Sequence, residues 1–501
     1  MSSSRRRFLK YAAVAAAAGA AATLGSQYML PQGSPRPQSP QNTTTMTTTA
    51  RNAADNRYRP PEYLKFMDWL KEVSKPYAGK RIVTAFELEP ASLALQSLDP
   101  DYFSYSGTYV GYELTPFIQN LVNTTLAIST KAPTYDIMNM DGSNLATFAP
   151  HLIPPQELAQ KYPDITYPDI DMNGFARAGM AFSGKYPQDL IFPPYDKELG
   201  GSVFGFPQDM PVMLRFYRKD LYDKEGITPG KTWDEYLEDL KMFDDPAKGV
   251  FGAGSMTLSH PSIIFEYLNH LHSFGGKIWE LEDKGLRCAL NTPEAVAALE
   301  NFIRLKNYSD PASASSTWAE LGILMAVGRV ANAIQWADYA SVVNNPVQSL
   351  TAGKWDYTVN PSGPSGSFST FGGAGVGVSR YSRNPEAAWL WLQWATGFGT
   401  QIVTLQDPIH YFTPTRSKVY DYPTVQADIK SGRLKYLKVA QDILASNKVA
   451  TLITFPAWQL VRVQIGDVLS RCWNGGLTPR EALKLGQENI DKLQGGPVFK
   501  F

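Results

Sequence analysis

Three stretches of this chain have residue types that first suggest chemistry: the carboxylates Glu87 and Glu89, the pair His270-x-His272, and the glycine run Phe371-Gly-Gly-Ala-Gly-Val-Gly-Val-Ser379. Each points to a different activity, and each fails that activity's own requirement. A glycosidase dyad is defined by the separation of two carboxyl groups in space, which two acids in one loop do not specify. Metal ligands must converge, and two histidines two residues apart on a helix point about 200° apart. A phosphate loop ends in Lys-Ser/Thr, and a dinucleotide loop opens a helix at once; the run from Phe371 does neither. The chain also lacks a G-x-S-x-G nucleophile elbow. No cofactor, metal or catalytic group is therefore expected, and the residues fit a binder rather than an enzyme. The two cysteines, Cys288 and Cys472, are too few for a zinc cluster. They are compatible with a disulfide in an exported protein or with two buried thiols.

Composition narrows the partners. At 501 residues, with 44% hydrophobic and 19% charged side chains, the chain is long enough for at least two packed domains. Lysine plus arginine and aspartate plus glutamate both number 47, which argues against nucleic acid or an anionic membrane as the main partner. Aromatic residues make up 12%, which suits sugar stacking and large cores equally.

The N-terminus reads as an address. Ser4-Arg-Arg-Arg-Phe-Leu-Lys10 followed by an Ala-rich run to Leu24 has the layout of an export signal and looks like a twin-arginine motif. Tyr11–Leu24 is short of the roughly 20 residues a spanning helix needs, so cleavage is favoured over anchoring. Without residues 1–29 the chain loses Arg5, Arg6, Arg7 and Lys10 and no acid, leaving a slightly acidic body. Residues 30–58 are rich in Pro, Gln, Ser, Thr and Asn with few large apolar side chains, and read as a disordered tether.

The elements that must position any site follow from local patterns. Arg81–Phe86 and Tyr135–Met140 read as strands, and Met210–Tyr217 as a largely buried one. Asp141 follows the second of these, and open α/β sheets bind ligands beyond the carboxyl ends of their strands. Thr232-Trp-Asp-Glu235 is a capping box that starts a helix, with Trp233, Tyr236, Leu237 and Leu240 as its core stripe. Thr478-Pro-Arg-Glu481 is another. His260–Phe274 reads as a helix, the stretch around Cys288 as a hairpin, Thr292-Pro293 as a helix start, and Asn384-Pro-Glu386 as the start of a helix with Ala388, Trp391, Leu392 and Ala395 on one face. Residues 154–201 read as irregular packing with short helices.

Several segments together resemble the family 1 extracellular solute-binding proteins, the carbohydrate-binding subunits of ABC importers, over roughly residues 80–500. They are Gly205-Phe-Pro-Gln-Asp-Met-Pro211 with Tyr217-Arg-Lys-Asp-Leu-Tyr222 and the Thr232 capping box, Gly328–Trp336 with Ala337-Asp338, and Asn360-Pro-Ser-Gly-Pro364 with the glycine run. In that family the first segment is a crossing between two lobes and the glycine run is the return crossing. The resemblance implies an α/β, two-lobed periplasmic-binding-protein-like fold (type II), with a ligand cleft between the lobes at the hinge crossings. One lobe would take residues 59–209 and 375–450, the other 210–374 and 451–501. It places Glu87, Glu89, Asp141, Gln208 and Asp209 as hydroxyl acceptors, and Trp336 as the aromatic plate with Asp338 after it. Gly372 and Gly373 would give close backbone approach, Arg416 of the Pro414-Thr-Arg416 turn would order the cleft rim, and Trp458 would be a further aromatic.

The implied function is capture of a mono- or oligosaccharide by hinge closure and delivery to ABC permease subunits whose ATPase is a separate chain, by a monomer in the periplasm or at the cell surface. The same fold also suits a polyamine, peptide or polyol; the acids and aromatics favour a neutral or cationic ligand over an anion. A secreted carbohydrate-active enzyme is the third reading, and turnover of oligosaccharide would distinguish it.

Overall fold

The computed structural model describes residues 56–186, 201–282, 285–446, 448–452, 455, 457–494 and 498–500. The expected signal, residues 1–29, and nearly all of the tether lie outside them. Two open sheets organise these residues. Their strands are β1 (Arg81–Glu87), β2 (Tyr109–Thr115), β3 (Ile137–Asp141), β4 (Leu152–Ile153), β5 (Phe206–Asp209), β6 (Met213–Arg218), β7 (Phe251–Gly254), β8 (Val330–Trp336), β9 (Trp355–Thr358) and β10 (Ala374–Ser379).

The first sheet runs β2-β1-β3-β10-β4, with β5 also paired to β10. Strands β1, β2 and β3 are parallel, while β10 is antiparallel to β3, β4 and β5. Every residue of β10 is buried, as a strand covered on both faces requires. Its register sets Ala374 opposite Asp141 and Val378 opposite Ile137, so the glycines just before it lie at the carboxyl end of β3.

Helix α1 (Pro61–Val73) turns Tyr63, Phe66, Met67 and Leu70 into the core of this body. The helix Pro385–Ala395 is buried from Ala387 to Ala395, beyond the single stripe expected of it. It has cover on two sides. Phe86 meets Trp391 at 5.8 Å from the sheet, while Tyr102 meets Trp394 at 4.8 Å and Thr166 accepts from the Trp389 indole at 3.0 Å. A helix so enclosed needs apolar residues all round.

The second sheet runs β9-β6-β8-β7. Strands β6 and β8 are antiparallel with Met213 opposite Trp336, which puts Trp336 level with the point where the chain enters this sheet. Helix α2 (Trp233–Phe243) has both bonds of its capping box, Glu235 N–H to Thr232 Oγ1 at 3.3 Å and Thr232 N–H to Glu235 Oε2 at 2.9 Å. Its stripe joins a core shared with α3 (Pro261–Ser273) and α4 (Trp318–Ala326). Residues 279–282 and 285–288 form the expected hairpin.

Residues 210–212 and 359–373 cross between the sheets. The chain then returns only partly to the first one. Helix α5 (Lys435–Ala445), placed with the first lobe by the division at residue 450, turns Tyr436, Leu437, Ala440 and Ile443 into the second core and lies against β9. Its apolar stripe has its complement there, where Tyr357 meets Tyr436 at 6.3 Å. Helix α6 (Trp458–Trp473) packs on α3, and α7 (Pro479–Gln494) packs on α6. Cys288 and Cys472 are two buried thiols. No helix among the described residues is long and apolar enough to cross a membrane.

Candidate functional site

The last residues of β1, β3, β5 and β8 meet at one place. Glu87 ends β1, Asp141 ends β3, Asp209 ends β5 and Trp336 ends β8. These four, with Glu89 and Asp338, line a cavity of about 40 Å³ between the two sheets. The two crossings close it, through Pro211 on one side and Gly372 and Gly373 on the other. They are joined by the Gly372 N–H donating to the Pro211 carbonyl at 3.0 Å. A side chain at Gly372 would have its Cβ 2.8 Å from Cη2 of Trp336, so the backbone lies directly against the indole.

Burial raises the pKa of all five carboxylates, and neighbouring carboxylates raise Glu87, Glu89 and Asp209 further. Glu87 is held well above the usual carboxylate range by burial and then by Asp141 and Asp338, with the Trp318 indole pulling the other way. Glu89 is raised by burial, Glu87 and Asp338, and accepts from Ser92 Oγ at 3.4 Å. Burial lifts Asp141 to about 6 against the Ser143 backbone N–H, 2.9 Å away, the Ser143 hydroxyl and the nearby Arg462. Burial lifts Asp338 to about 7 against the backbone N–H groups of Asp338 and Tyr339. Asp209 is raised by burial, Asp338 and Glu89, although the Thr413 N–H donates to its Oδ1 at 2.7 Å. Two oxygens have no partner: Oδ2 of Asp209 and Oδ1 of Asp338. Unpaired buried acceptors beside aromatic rings can receive hydroxyl or ammonium donors from a ligand.

Of the expected residues, the structure brings Glu87, Glu89, Asp141, Asp209, Trp336, Asp338, Gly372 and Gly373 to this cavity. Three lie elsewhere. Gln208 reaches from β5 to β3, where its side-chain oxygen accepts from Asn139 at 2.6 Å. Arg416 turns away into the first body. Its Nε donates to the Thr396 carbonyl and its Nη1 to the Asp171 carbonyl, both at 2.7 Å, and it sits 4.0 Å over Phe175 beside a separate cavity of about 430 Å³. Trp458 starts α6 with its ring in the second core, 6.2 Å from Phe455. The Arg416 turn is legible in the sequence, but the direction the three side chains take is not.

Four ring-bearing lining residues were not anticipated: Phe117, Phe265, Trp318 and Tyr339. Trp318 did carry a signal, because Thr317-Trp-Ala-Glu320 is a capping box, with Thr317 N–H to Glu320 Oε2 at 2.9 Å, that fixes it at the first position of α4. Phe117 meets Trp318 edge-on at 5.3 Å, a ring contact between the two bodies. His260 packs on the same Trp318 at 4.7 Å and is held neutral by burial, at about 3. His270 stacks 3.8 Å from Trp233 in the second core and is bonded to Asn301. Among the described residues no group of three or more His, Cys, Asp or Glu is placed to hold a metal.

Asp209→Asn tests whether the unpaired oxygen serves a ligand. The amide keeps an oxygen for Thr413 N–H and replaces an acceptor with a donor. Ligand affinity is expected to fall about tenfold, the roughly 1.5 kcal/mol of one charged hydrogen bond, by calorimetric titration. The melting temperature without ligand should not fall; a clear drop would make Asp209 structural.

Comparison with known proteins gives the same frame. Residues 112–402 match the model of the family described as bacterial extracellular solute-binding protein. An erythritol/L-threitol-binding protein of Mycolicibacterium smegmatis is 24% identical over 302 residues, 56% of this chain and 61% of that protein. This chain thus spans about three-fifths of that relative's length. A mannitol-binding protein of Pseudomonas aeruginosa is 22% identical over 322 residues, 61% of this chain and 72% of its own. Among solved structures, a ribitol complex of an ABC transporter solute-binding protein from Agrobacterium radiobacter superposes with a TM-score of 0.70 at 20% identity, covering 83% of this chain and 99% of that one. A maltose-bound protein of T. maritima gives a TM-score of 0.70 at 20% identity, over 83% of this chain and 100% of its own. Both likenesses are of the two-lobed fold.

Proposed function

The chain belongs to the bacterial extracellular solute-binding proteins, and from that premise we propose that it captures a carbohydrate or polyol by closing its two lobes, then delivers it to membrane permease subunits driven by a separate ATPase. The observation that carries this reading is the cavity at the chain crossings, where carboxylates at the strand ends of both sheets share the lining with the rings of Trp318 and Trp336. Carboxylates accept hydroxyl hydrogen bonds, and an indole covers the apolar face of a sugar ring. The relatives that bind erythritol, threitol and mannitol, and the neighbours holding ribitol and maltose, support the same ligand class. The arginine-rich N-terminus supports export by a twin-arginine-type route. No catalytic role is proposed for any residue here.

At about 40 Å³ the cavity is smaller than any sugar and near the size that holds a water or two. Ligand entry therefore needs the lobes to part, with rotation taken up at residues 210–212 and 359–373. The experiment is a thermal-shift screen of the full chain against sugars, polyols, polyamines and peptides, since a ligand bound only by the folded state raises the melting temperature. A shift with a sugar or polyol is expected; a shift only with a polyamine or a peptide would overturn the ligand class.

Trp336→Leu keeps apolar volume at a residue that is 7% exposed and packed 5.3 Å from Phe265, but removes the indole face. Affinity for the ligand so found is expected to weaken at least about tenfold, roughly 1.4 kcal/mol. An unchanged Kd with an unchanged melting temperature would remove Trp336 from the binding surface.

A further inference from the structure

The charge balance of the cleft deepens the reading above and rests on it. Glu87, Asp141 and Asp209 end strands of the first sheet, Glu89 lies just past β1 and Asp338 just past β8 of the second sheet, and all five line one cavity of about 40 Å³. Among the described residues the cation acting on this group is Arg462, which lies beside Asp141 and donates from Nε to Gln459. The other titratable groups facing the acids add no positive charge. His260 is held neutral by burial and by Arg462. Burial also keeps Tyr339, Tyr420 and Tyr436 protonated beside Asp338 and Asp209, and Glu320 beyond Tyr339 is another acid.

A neutral polyol donates hydroxyl hydrogen bonds but brings no charge. Closing on it gathers like charges away from water, so the carboxyl groups must take up protons. A ligand ammonium would supply the balancing charge instead. The geometry shows where it would sit. Oδ2 of Asp209 and Oδ1 of Asp338 have no partner, in residues that are 1% and 2% exposed, and Glu89 lines the same cavity, raising Asp209 and itself raised by Asp338. An ammonium has three donors and no acceptor, the complement of three acceptors from three carboxylates. Rings at Trp318 and Trp336 add attraction for a cation.

We propose that the natural ligand is an amino sugar or an aminated polyol, with its ammonium held among Glu89, Asp209 and Asp338 and its carbon skeleton against Trp318 and Trp336. The sign of the pH dependence separates this from a neutral ligand. Carboxyl groups whose pKa rises on closure favour the closed form at low pH, and that advantage is lost as pH climbs through about 6 for Asp141 and about 7 for Asp338. A neutral ligand must then bind more weakly as pH rises. A ligand ammonium reverses the sign, because it binds the ionised carboxylates.

The test is calorimetric titration of the full chain at pH 5, 6 and 7 with matched pairs: glucosamine and glucose, 1-amino-1-deoxyglucitol and glucitol, chitobiose and its N,N′-diacetyl form. In at least one pair the amine is expected to bind at least about tenfold tighter at pH 7, with affinity rising from pH 5 to 7, and Asp338→Asn should cancel most of that preference while the melting temperature without ligand holds. Equal or tighter binding by the neutral member, weakening as pH rises, overturns the ammonium and leaves the carbohydrate reading intact. Binding by no member of any pair overturns both.

Discussion

Arg215→Ala should cost about 3–5 kcal/mol of folding stability, the range for stripping one partner from a buried ion pair, and lower the melting temperature on the order of 10 °C. Arg215 sits in the middle of β6 and is fully buried. Its Nη2 donates to Asp239 Oδ2 at 2.5 Å, Tyr222 Oη at 2.7 Å and Asn332 Oδ1 at 3.1 Å, and Nη1 donates to the Gly230 carbonyl at 2.7 Å. The guanidinium also lies 4.4 Å over the Tyr236 ring. One side chain therefore ties β6 and β8 to α2 and to the turn before it. Alanine leaves the Asp239 carboxylate buried without a cation and takes its side-chain donor from the Gly230 carbonyl, while the Asn332 oxygen keeps the Tyr222 hydroxyl at 2.8 Å. The double variant Arg215→Met with Asp239→Leu removes both charges and is expected to recover much of the loss. A melting temperature for Arg215→Ala within a degree or two of the parent would show that the network adds nothing to stability.

Gly373→Ala should weaken ligand binding roughly 5- to 150-fold, the equivalent of about 1–3 kcal/mol of backbone strain. Gly373 has φ of 141°, where L side chains are strained, and a Cβ there would lie 2.5 Å from the Asp209 carbonyl oxygen and 3.2 Å from the Met210 Cα. Both obstacles are backbone, at the end of β5 and the start of the other crossing, and cannot swing aside. The Gly373 carbonyl also accepts from Gly142 N–H at 3.0 Å, just after Asp141. Displacing Gly373 thus moves three parts of the cavity wall together. Titration of the variant with the screened ligand, alongside its melting curve, checks this; an unchanged Kd would mean the crossings need not approach so closely for binding.

Local patterns were legible in the chain because their causes are local. The Thr232 and Thr478 capping boxes need only residues three apart, and both are formed, with Glu481 N–H to Thr478 Oγ1 at 3.3 Å in the second. Asp141 was placed by a rule about strand ends, and the glycine run by its resemblance to a crossing. What escaped were contacts set by tertiary approach. Phe117 and Trp318 meet across the cleft from positions far apart in sequence, and nothing near either residue announces the other. Arg416 shows the reverse case: its turn was recognised, but the Thr396 and Asp171 carbonyls that capture its guanidinium come from distant segments. The helix Pro385–Ala395, read with one apolar face, is buried on the others too, and even Gln393 is enclosed there, donating to the Ile165 carbonyl at 2.9 Å and accepting from Tyr167 N–H at 2.7 Å.

The position of β10 sets an order of assembly. Strands β6 to β9 follow one another within residues 213–358 and can pair as soon as that stretch exists. The first sheet cannot, because β10 lies between β3 and β4 and pairs Val376 with Asn139 across the whole of the second sheet's sequence. Closing so long a loop is entropically slow unless the intervening chain is already compact. The second sheet is thus expected to form first and act as the clasp that brings β10 home, so that in pulse-labelled hydrogen exchange during refolding the amides of β6 and β8 gain protection before those of β3.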